Sequence, residues 1–474
     1  MFEDLVDAGV VDAIAEAARA QNVMCARELA AIGELYARRA PAEDSERLSW
    51  AVDGHENVVA EVAAALGISR GRAAGRLRYA IALRERLPRV AEVFARGDID
   101  YRLMTTVVFR TELIDDPELV AKLDAALARH APRWTALSEP KVMARIDMWV
   151  ARFDPAGVRV PRARTEDRYV EFVQAPPGLA GFYAQLHSTD GAALDTALDQ
   201  LAATVCRDDP RTKKQRRADA LGALVAGLDG LRCLCGAPDC AAAQRHPGTD
   251  VVIHVLAEQA ALEGASHAPA YLPGFGPVPA PLLRDLAPFA KTTSLVIPRA
   301  GAEPGYRPSA ALAEFIRFRD LTCRFPGCDC PAEVCDIDHT VPFPFGPTHP
   351  SNLKLLCRFH HLLKTFYNGW RDLQLPDGTV VWTSPSGNTY TTKPFGALLF
   401  PALAIPTGTL TLPTDLRAPQ PNRGVMMPRR RRTRAADRAT RICWERGINE
   451  ARLAAEAARR DLRPAPHNND PPPF

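Results

Sequence analysis

Four metal-binding side chains in one short segment constrain the fold of this chain more than any other feature. Cys323-x4-Cys328 precedes Cys357-x2-His360, so the segment offers three sulfurs and one imidazole in two knuckles. Such a set suits a tetrahedral structural zinc ion. A short segment buries little apolar surface by itself, and a bound zinc ion contributes folding free energy directly. The sequence therefore predicts a zinc-stapled module built on these four residues.

Two neighbouring cysteines leave the ligand set open. Cys330 and Cys335 lie between the knuckles and could replace one of the four ligands, and reduced cysteines packed in a core are the other interpretation. The chain has 11 cysteines in 474 residues, and most of them fall within residues 233–240 and 323–357. Clustering beside histidine favours metal over the disulfide bonds of small secreted domains. We therefore expect reduced thiols and a cytoplasmic protein.

The hydropathy and charge of the chain exclude some classes of protein. Its acidic start, Met1-Phe2-Glu3-Asp4, lacks the basic and apolar regions of a signal peptide. No run of about 18 apolar residues occurs, so no membrane-spanning helix is expected. The net charge of +3 conceals a basic tail, since residues 401–474 hold 14 Lys and Arg against 7 Asp and Glu. That excess favours either a nucleic-acid partner or a solvated segment.

A second pattern stands between the two knuckles. Asp338-His339, at the end of a short predicted strand, is followed by a Pro- and Gly-containing loop, by Asn352 and by His361. Hydrolysis of a phosphodiester needs a deprotonated water, a divalent ion on the phosphate oxygens and a group that orients the base. The order and spacing resemble those of the HNH nucleases. The resemblance implies a small α+β ββα-metal module that is stapled by zinc.

The same resemblance implies roles for individual residues. His339 matches the general base of that family, and Asn352 matches the asparagine that braces the loop and helps to orient the base. Asp338 and His361 match the two protein ligands of a single catalytic ion, which would be Mg²⁺ or another divalent ion such as Mn²⁺, Ni²⁺ or Zn²⁺. His360 stands where a second cysteine is common in the wider family, which changes the structural zinc ligand set.

Basic residues surround this pattern and are candidates for contacts to DNA phosphates. Their other interpretation is solvated surface charge, because charge near a motif is weak evidence for binding. DNA is the partner that the resemblance implies. The candidate nucleic-acid-binding residues are Arg317, Arg319, Arg324, Arg358 and Lys364.

A wider resemblance reaches beyond the module. The stretches that carry it are Tyr306–Ala310, Cys323–Cys328, Cys335–His339, Gly346–Thr348, Cys233–Cys240 and Gly276–Pro279. They resemble the 13E12 repeat family, in which a helical domain of unknown function, numbered 222, precedes a C-terminal HNH endonuclease domain. The likeness covers roughly residues 20 to 395.

The organisation of the whole chain follows from its periodicities. From Phe2 to about Leu228, apolar residues recur at three- and four-residue spacing, which predicts successive amphipathic helices. Short β-branched runs predict strands at Asp250–Leu256 and Thr293–Ile297. We expect a mainly α N-terminal domain, or two fused ones, at 1–245, a connecting region with short strands at 246–306, the HNH module at 307–395 and a Pro- and Arg-rich tail with one helix at 396–474.

Local signals around the module refine this division. Ser309 is positioned as the N-cap of a helix over 308–319, and two Gly-containing turns after Trp370 predict a three-stranded meander. In the tail, a Pro-rich linker is expected at 401–423, a helix within 435–460 and disorder at 464–474.

A second, weaker cysteine pattern lies upstream. Cys233-x-Cys235-x4-Cys240 could hold another zinc ion, with His246 as a fourth ligand and Asp239 as a spare one. The alternative is a loop of reduced thiols. The isolated cysteines are expected to pack as small apolar side chains, and these are Cys25, Cys206 and Cys443.

Two further basic segments have DNA-binding interpretations. The small and apolar residues of 61–81 have the order of a helix-turn-helix, which an ordinary helical hairpin would also give. The run Arg429–Arg434 is either a nucleic-acid arm or a soluble disordered segment. The arginines that would lie on or near the second helix of the helix-turn-helix are Arg70, Arg72, Arg76 and Arg78.

These patterns lead to one function and two alternatives. The leading expectation is an HNH endonuclease that hydrolyses DNA phosphodiester bonds with a single divalent metal. The first alternative is a non-catalytic DNA-binding or mobile-element-associated protein with a structural HNH fold, and the second is a protein-interaction scaffold built by the helical part. The target site, the strand geometry and the oligomeric state stay open.

Overall fold

The computed structural model is mainly helical, with small antiparallel sheets. It describes residues 2–3, 5–39, 46–160, 168–173, 175–245, 253–298, 301–367, 369–410 and 426–461. The helices are α1 Asp7–Arg39, α2 Gly54–Leu66, α3 Arg70–Glu85, α4 Pro88–Ala95, α5 Tyr101–Arg110, α6 Pro117–His130, α7 Glu139–Phe153, α8 Ser188–Ala202, α9 Lys213–Val225, α10 Gln259–Leu262, α11 Ala280–Leu286, α12 Ala310–Asp320, α13 Arg358–Phe366, α14 Phe395–Leu399 and α15 Arg434–Asp461. The strands are β1 Tyr169–Val173, β2 Gly181–Gln185, β3 Ala270–Leu272, β4 Gly276–Val278, β5 Cys335–His339, β6 Leu353–Cys357, β7 Arg371–Gln374, β8 Val380–Thr383 and β9 Thr389–Thr392.

The helices α1 to α7 enclose the largest core. Their inward faces carry the predicted apolar stripe, as at Leu29 of α1, and each fully buried leucine side chain contributes about 1.5–3 kcal/mol. Helix ends follow local chemistry. Asp53 caps α2 by accepting a hydrogen bond from the Glu56 amide at 3.0 Å, and Gly67 ends the helix in the left-handed conformation. The predicted helical packing is confirmed for this part of the chain.

The helical prediction is wrong between α7 and α8, where the chain forms the antiparallel hairpin β1–β2. Tyr169-Val170-Glu171-Phe172-Val173 is rich in aromatic and β-branched residues that favour extended backbone. Beyond the hairpin, α8 and α9 pack on each other over a separate small core. The region 1–245, expected as one helical domain or two fused ones, therefore contains two cores.

The connecting region is less regular than expected. Residues 253–255 and the whole predicted strand Thr293–Ile297 have no regular secondary structure, and residues 250–252 lie outside the described part. Leu256 forms one isolated bridge, in which its amide donates to the Tyr271 carbonyl at 2.9 Å. The short strands of this region are instead β3 and β4, joined by a turn at Gly274 with φ of +78°.

The C-terminal module begins with α12, whose predicted cap is confirmed because the Ser309 hydroxyl accepts from the Leu312 amide at 3.3 Å. β5 and β6 then pair antiparallel, with Cys335 opposite Cys357 and His339 opposite Leu353, and α13 follows at once. We call β5, β6 and α13 the ββα module. The predicted meander is confirmed as the sheet β7–β8–β9.

The module and the helical part share a core. Val52, Ala60 and Ala64 from the region of α2 belong to the same buried cluster as the apolar residues of α12, β6 and the meander. The Trp370 indole also donates to Asn57 Oδ1 at 2.9 Å. The ββα module is therefore packed directly on α2.

The tail returns to the helical part. The amide of Ala51 donates to the Pro428 carbonyl at 2.7 Å, and α15 then packs beside residues 154–158 through Asn449, which donates to the carbonyls of Ala156 and Val158. The predicted helix is confirmed, whereas most of the predicted linker and the predicted disordered end lie outside the described residues. Among the described residues, no helix is both long and apolar enough to cross a membrane.

Candidate metal and catalytic centre

The four predicted zinc ligands come together in the folded chain. The sulfurs of Cys323, Cys328 and Cys357 and a ring nitrogen of His360 all lie within 4.8 Å of one another, and we call this group the mixed cluster. His360 Nδ1 lies 3.2 Å from Cys357 Sγ and 3.5 Å from Cys323 Sγ. Ligands about 2.3 Å from a tetrahedral zinc ion stand roughly 3.5–3.8 Å apart. The cluster can therefore hold a metal ion such as zinc.

The electrostatics of the mixed cluster agree with this donor set. Burial raises the pKa of Cys323, so that the bare thiol keeps its proton in this environment. Hydrogen bonding from Cys323 and Cys328, outweighing burial, lowers the pKa of Cys357. Three thiolates could share this buried space when a divalent cation neutralises them. The alternative ligands border the set without belonging to it, since Cys335 is hydrogen-bonded to Cys323 and Cys330 to Cys357, while Cys335 Sγ also donates to the Cys330 carbonyl at 3.6 Å.

Aromatic residues fix the position of the histidine. The His360 ring stacks on Phe325 with ring centroids 3.9 Å apart, and Phe325 in turn contacts Trp370 and Trp382 edge-on. Close to the cluster, Gly327 has φ of +75°, and a Cβ there would stand 2.5 Å from the Ile68 carbonyl oxygen. Glycine at this position lets the first knuckle approach the turn between α2 and α3.

Near the C-terminal end of β5, the Asp338 carboxylate contacts the ammonium groups of two lysines. Lys354 Nζ is 2.9 Å and Lys364 Nζ is 2.6 Å from Asp338 Oδ2, and both ammonium groups also contact Asp372. Burial alone would raise the pKa of Asp338, but the two cations outweigh it and hold that pKa well below its usual range. Asp338 is therefore ionised, with one oxygen already paired.

The other oxygen of Asp338 faces His361. His361 Nε2 is 3.5 Å from Asp338 Oδ1, while His361 Nδ1 is 2.8 Å from Asp336 Oδ2. A carboxylate on the far nitrogen fixes the orientation of the ring. Oxygen from Asp338 and nitrogen from His361 thus converge as the sequence predicted, and they form a donor pair that fits a hard or borderline divalent ion.

The neighbouring His339 is held in one tautomer. The Thr348 hydroxyl donates its proton to the Gly305 carbonyl at 2.6 Å and lies 2.9 Å from His339 Nε2. Because a hydroxyl has one proton, Nε2 must be the donor in this contact, which leaves the lone pair on Nδ1. Tyr306 stacks on the imidazole at 5.3 Å between centroids. Burial lowers the pKa of His339, which favours its neutral form.

Asn352 braces the loop that follows His339. Its Oδ1 accepts from the Val341 amide at 2.8 Å, and its Nδ2 donates to the carbonyls of Val341 and Pro347 at 3.0 and 2.8 Å. The side chain is fully buried, so these bonds also satisfy its polar atoms. Asn352 thus joins both ends of the loop to the start of β6.

Two of the predicted phosphate contacts are wrong. Arg319 and Arg324 are buried, and both pair with the buried Asp320, at 2.8 and 3.1 Å. Their remaining donors go to backbone carbonyls, as from Arg319 to Leu353 at 2.7 Å. Side chains enclosed in this way hold α12, β6 and the meander together and cannot reach a phosphate.

The other three basic candidates differ in exposure. Arg317 is exposed, and Arg358 is exposed while it pairs with Asp336 at 3.2 Å. Lys364 is nearly enclosed and donates to Asp338 and to the carbonyls of His339 and Thr340. Its role in this structure is to hold the Asp338–His339 segment.

Sequence reasoning missed several residues of this centre. Lys354 and Asp372 were given no role, although a lysine between the apolar residues Leu353 and Leu355 in a strand signals a buried charge. Thr348 and Tyr306, which contact His339, lie in stretches that carry the family resemblance, but neither was given a role there.

The other basic segments are largely engaged within the protein. α2 and α3 form a helical hairpin in which Arg70 pairs with Glu56 at 2.8 Å, and Arg76 pairs with Glu28 of α1. Arg72 is exposed, and Arg78 donates to the Tyr79 hydroxyl at 3.2 Å.

The basic run near the tail is tied to the region of α2. Arg430 and Arg434 pair with Asp53 at 3.2 and 2.7 Å, and Arg429 pairs with Glu46. Arg429, Arg430 and Arg434 are therefore paired within the protein, whereas Arg431 and Arg432 are exposed, and contact of this run with nucleic acid stays a prediction.

The second cysteine pattern also forms a group, but with a different fourth member. The sulfurs of Cys206, Cys233, Cys235 and Cys240 lie within 4.8 Å of one another, and we call them the four-cysteine cluster. The expectation that Cys206 stands alone is wrong, and His246 lies outside the described residues. Of the remaining isolated cysteines, Cys25 packs against the helical core and Cys443 is exposed.

Comparison with known proteins identifies relatives without known functions. The chain is 48% identical over 491 residues to the uncharacterized protein Rv2100 of Mycobacterium tuberculosis (strain ATCC 25618 / H37Rv), covering 94% of this chain and 89% of the relative. It is also 48% identical over 473 residues to the uncharacterized protein Rv3776 of the same strain, covering 94% and 91%. A third protein, described as an uncharacterized protein in the est 3′ region of Mycobacterium tuberculosis, is 44% identical over 342 residues, covering 66% and 97%.

The family comparison covers the helical part and ends where α12 ends. No solved structure matches the chain. The family model for a domain of unknown function, DUF222, matches residues 16–320. With relatives that are 48% identical over nearly their whole length, this match shows that the chain belongs to the DUF222 family.

Proposed function

We propose that the chain is an HNH-type endonuclease that hydrolyses DNA phosphodiester bonds, with the ββα module as its catalytic part and the mixed cluster as a structural zinc site. The observation that carries the proposal is the convergence at the end of β5. Asp338 Oδ1 and His361 Nε2 stand 3.5 Å apart, and His339, the next residue in the chain, is fixed in one tautomer. The order β5, β6 and α13 supplies these side chains in the manner of the HNH fold.

In this proposal His339 is the general base. Its Nε2 proton is held by Thr348, so the Nδ1 lone pair takes a proton from the attacking water. Asp338 and His361 would hold one divalent ion such as Mg²⁺ or Mn²⁺, which when bound supplies positive charge for the phosphate oxygens. Asn352 holds the loop that carries Thr348 and thereby keeps the imidazole in place.

The rest of the proposal follows from the same resemblance. The combination of a DUF222 match over residues 16–320 with a following ββα module fits the 13E12 repeat architecture. The 11 cysteines, all within the described residues, form no disulfide bond, which supports a reducing, cytoplasmic location. Arg317 and Arg358 are the two predicted phosphate contacts with exposed side chains.

A cleavage assay tests this proposal. Purified full-length chain is incubated with supercoiled plasmid and Mg²⁺, Mn²⁺, Ni²⁺ or Zn²⁺, beside His339→Ala and the matched control His267→Ala, whose histidine is distant from the ββα module in sequence. We expect nicking or linearisation by the wild type and the control and a large loss in His339→Ala. Absence of cleavage with every ion, or equal cleavage by His339→Ala, would refute it.

A second candidate function is DNA binding without hydrolysis. It is favoured by the two lysine ammonium groups on Asp338 Oδ2, which neutralise the carboxylate that would hold the ion. A groove of about 450 Å³ on the helical part is lined by cationic and aromatic side chains, a combination that suits stacked bases and phosphates. In it Trp149 stacks on His130 at 4.9 Å, and Arg152 lies 5.4 Å over the Trp149 ring.

Binding measurements separate this candidate from the first. We expect salt-sensitive binding of labelled DNA that survives Asp338→Asn and weakens in Trp149→Ala, with Trp444→Ala on α15 as the control. No binding at low salt would contradict the second candidate, and loss of cleavage with intact binding in His339→Ala would favour the first.

A further inference from the structure

The four-cysteine cluster joins two loops that are far apart in sequence. Cys206 follows α8, whereas Cys233, Cys235 and Cys240 follow α9. The four sulfurs lie within 4.8 Å of one another, and those of Cys206 and Cys233 are 3.4 Å apart. Four sulfurs in one group, with three of them half-exposed, are more than a core of this size needs for packing.

Backbone amides point at three of the sulfurs. The amide of Asp208 donates to Cys206, that of Cys235 to Cys233 and that of Ala237 to Cys235. In each case the donor lies two residues after the cysteine, so the chain turns tightly around the sulfur. Amides placed in this way orient the sulfurs and could also donate to them when a metal ion is bound.

Glycine makes one of these turns possible. Gly236 adopts φ of +74°, a left-handed conformation that other residues rarely take. It follows Cys235 directly, so it allows the amide of Ala237 to reach back to the sulfur.

Polar side chains hold the two loops in position around the sulfurs. Asp209 accepts from the Leu234 amide at 2.9 Å and from Arg211 Nη2 at 2.8 Å. Arg245 donates to the carbonyls of Thr204 and Leu231 at 3.1 and 2.9 Å. These contacts link the Cys206 loop to the Cys233 loop.

The apolar core of this unit is too small to hold it alone. Its buried members are Leu201, Ala220, Ala223 and Leu231. Two alanines and two leucines bury little area against the entropy of ordering two helices and two loops. Units of this kind use a metal or disulfides to close.

We propose that Cys206, Cys233, Cys235 and Cys240 bind a second, tetrathiolate zinc ion that closes the α8–α9 unit. An all-sulfur set is soft and selects Zn²⁺ over Mg²⁺ and Ca²⁺. Four protein ligands leave no open position, so the site is structural and takes no substrate. The proposal is independent of DNA hydrolysis, because no residue of this unit belongs to the ββα module.

Metal content of the full-length chain tests the proposal. Wild-type protein purified under reducing conditions is expected to contain about two zinc ions per chain, one for each cluster. Cys206→Ser and Cys235→Ser are each expected to retain about one, and the control Cys443→Ser, at an exposed cysteine outside both clusters, is expected to retain about two. Cys357→Ser, in the mixed cluster, is expected to lose the other ion.

A conservative variant keeps the test decisive if a serine variant does not fold. Cys206→His offers an alternative zinc ligand and is expected to restore the second ion, as His360 serves in the other cluster. One zinc ion per chain in the wild type, unchanged by Cys206→Ser, would overturn the proposal. Intact mass under non-reducing conditions gives the other adverse outcome, since loss of thiol hydrogens without a second zinc ion would indicate disulfides. DNA cleavage by a folded Cys206→Ser protein reports on the hydrolase proposal separately.

Discussion

The mixed cluster and the four-cysteine cluster use similar ligands in very different surroundings. The mixed cluster lies in a large core in which His360 stacks on Phe325 and residues near α2 pack against the ββα module. The four-cysteine cluster borders a core of four small or medium side chains, and three of its cysteines are half-exposed. We therefore expect a metal to supplement the core in the first unit and largely to replace it in the second.

Their chemical neighbourhoods differ as well. Within the described residues, Asp338, His339 and His361 lie on the same β5–β6–α13 elements that carry two ligands of the mixed cluster. The four-cysteine cluster is flanked by ion pairs such as that of Asp209 with Arg211, in which the arginine lowers the carboxyl pKa. We therefore expect catalysis beside the mixed cluster and a purely structural role for the four-cysteine cluster.

The largest expected effect is on the rate of DNA cleavage, which should depend on His339 beside the mixed cluster and be independent of the four-cysteine cluster. His339→Ala should lower the rate of DNA cleavage by about 10²–10⁴-fold, because the general base is lost. Cys235→Ser should leave that rate unchanged, provided that circular dichroism shows a folded protein. Initial rates of plasmid nicking measure both. A comparable loss in the two variants would remove the distinction between the clusters.

The cores should differ in how much they depend on a single side chain. Phe325→Ala should lower the free energy of unfolding by about 3–5 kcal/mol, because it leaves a cavity among His360, Trp370 and Trp382. Leu231→Ala should cost about 2 kcal/mol, since a small core near the surface can collapse around the gap. Urea unfolding followed by tryptophan fluorescence measures the first, and hydrogen exchange of α8 and α9 measures the second. Equal costs would show that the two cores are alike.

The pH dependence of DNA cleavage should follow the protonation of His339 and should not change when the four-cysteine cluster is altered. Burial lowers the pKa of His339, and the neutral imidazole is the active form, so activity should persist to lower pH than an ordinary histidine allows. The acid limb of kcat/KM is therefore expected below about 6.5, the usual histidine value. The Cys206→His variant should lose activity at the same acidic pH as the wild type. A limb above that value would contradict the assignment of the base.

The smallest expected effects are changes in helix stability when the N-cap of a helix in each unit is replaced. Ser309 caps α12 and also donates to Glu303 Oε1 at 2.6 Å, and Thr212 caps α9 in a reciprocal arrangement with Gln215. Each change to alanine should lower helix stability by about 1 kcal/mol. Ser309→Ala should lower the melting temperature of the whole ββα core, whereas Thr212→Ala should affect exchange in α9 alone. A global shift in both would indicate that the units unfold together.

Much of the candidate site could be predicted because its ligands are close in sequence or follow a spaced motif. Cys357 and His360 are three residues apart and Cys323 and Cys328 are five residues apart, so each half of the mixed cluster is set by a local spacing. The helix α12 and its cap at Ser309 were likewise local signals. Such features depend on hydrogen bonds and spacings within a few residues, which the sequence states directly.

Other features could not be predicted because they depend on which charges burial brings together. Arg319 and Arg324 have the sequence signature of surface cations, yet both enclose Asp320 inside the module. Arg430 and Arg434 looked like a free basic run, yet they pair with Asp53 from the other end of the chain. A guanidinium finds its partner through tertiary packing, so composition alone cannot separate a DNA contact from an internal ion pair.

Residue identity and short spacings were enough to establish the ligand types, the helical character of the N-terminal part and the order of Asp338, His339 and His361. Folding was needed to show that Cys206 completes the four-cysteine cluster and that two lysines lie on Asp338. Distance along the chain is the reason. Groups separated by whole helices come into contact only where packing of the intervening chain brings them together. Their charge states then depend on the burial and the neighbouring charges at that contact.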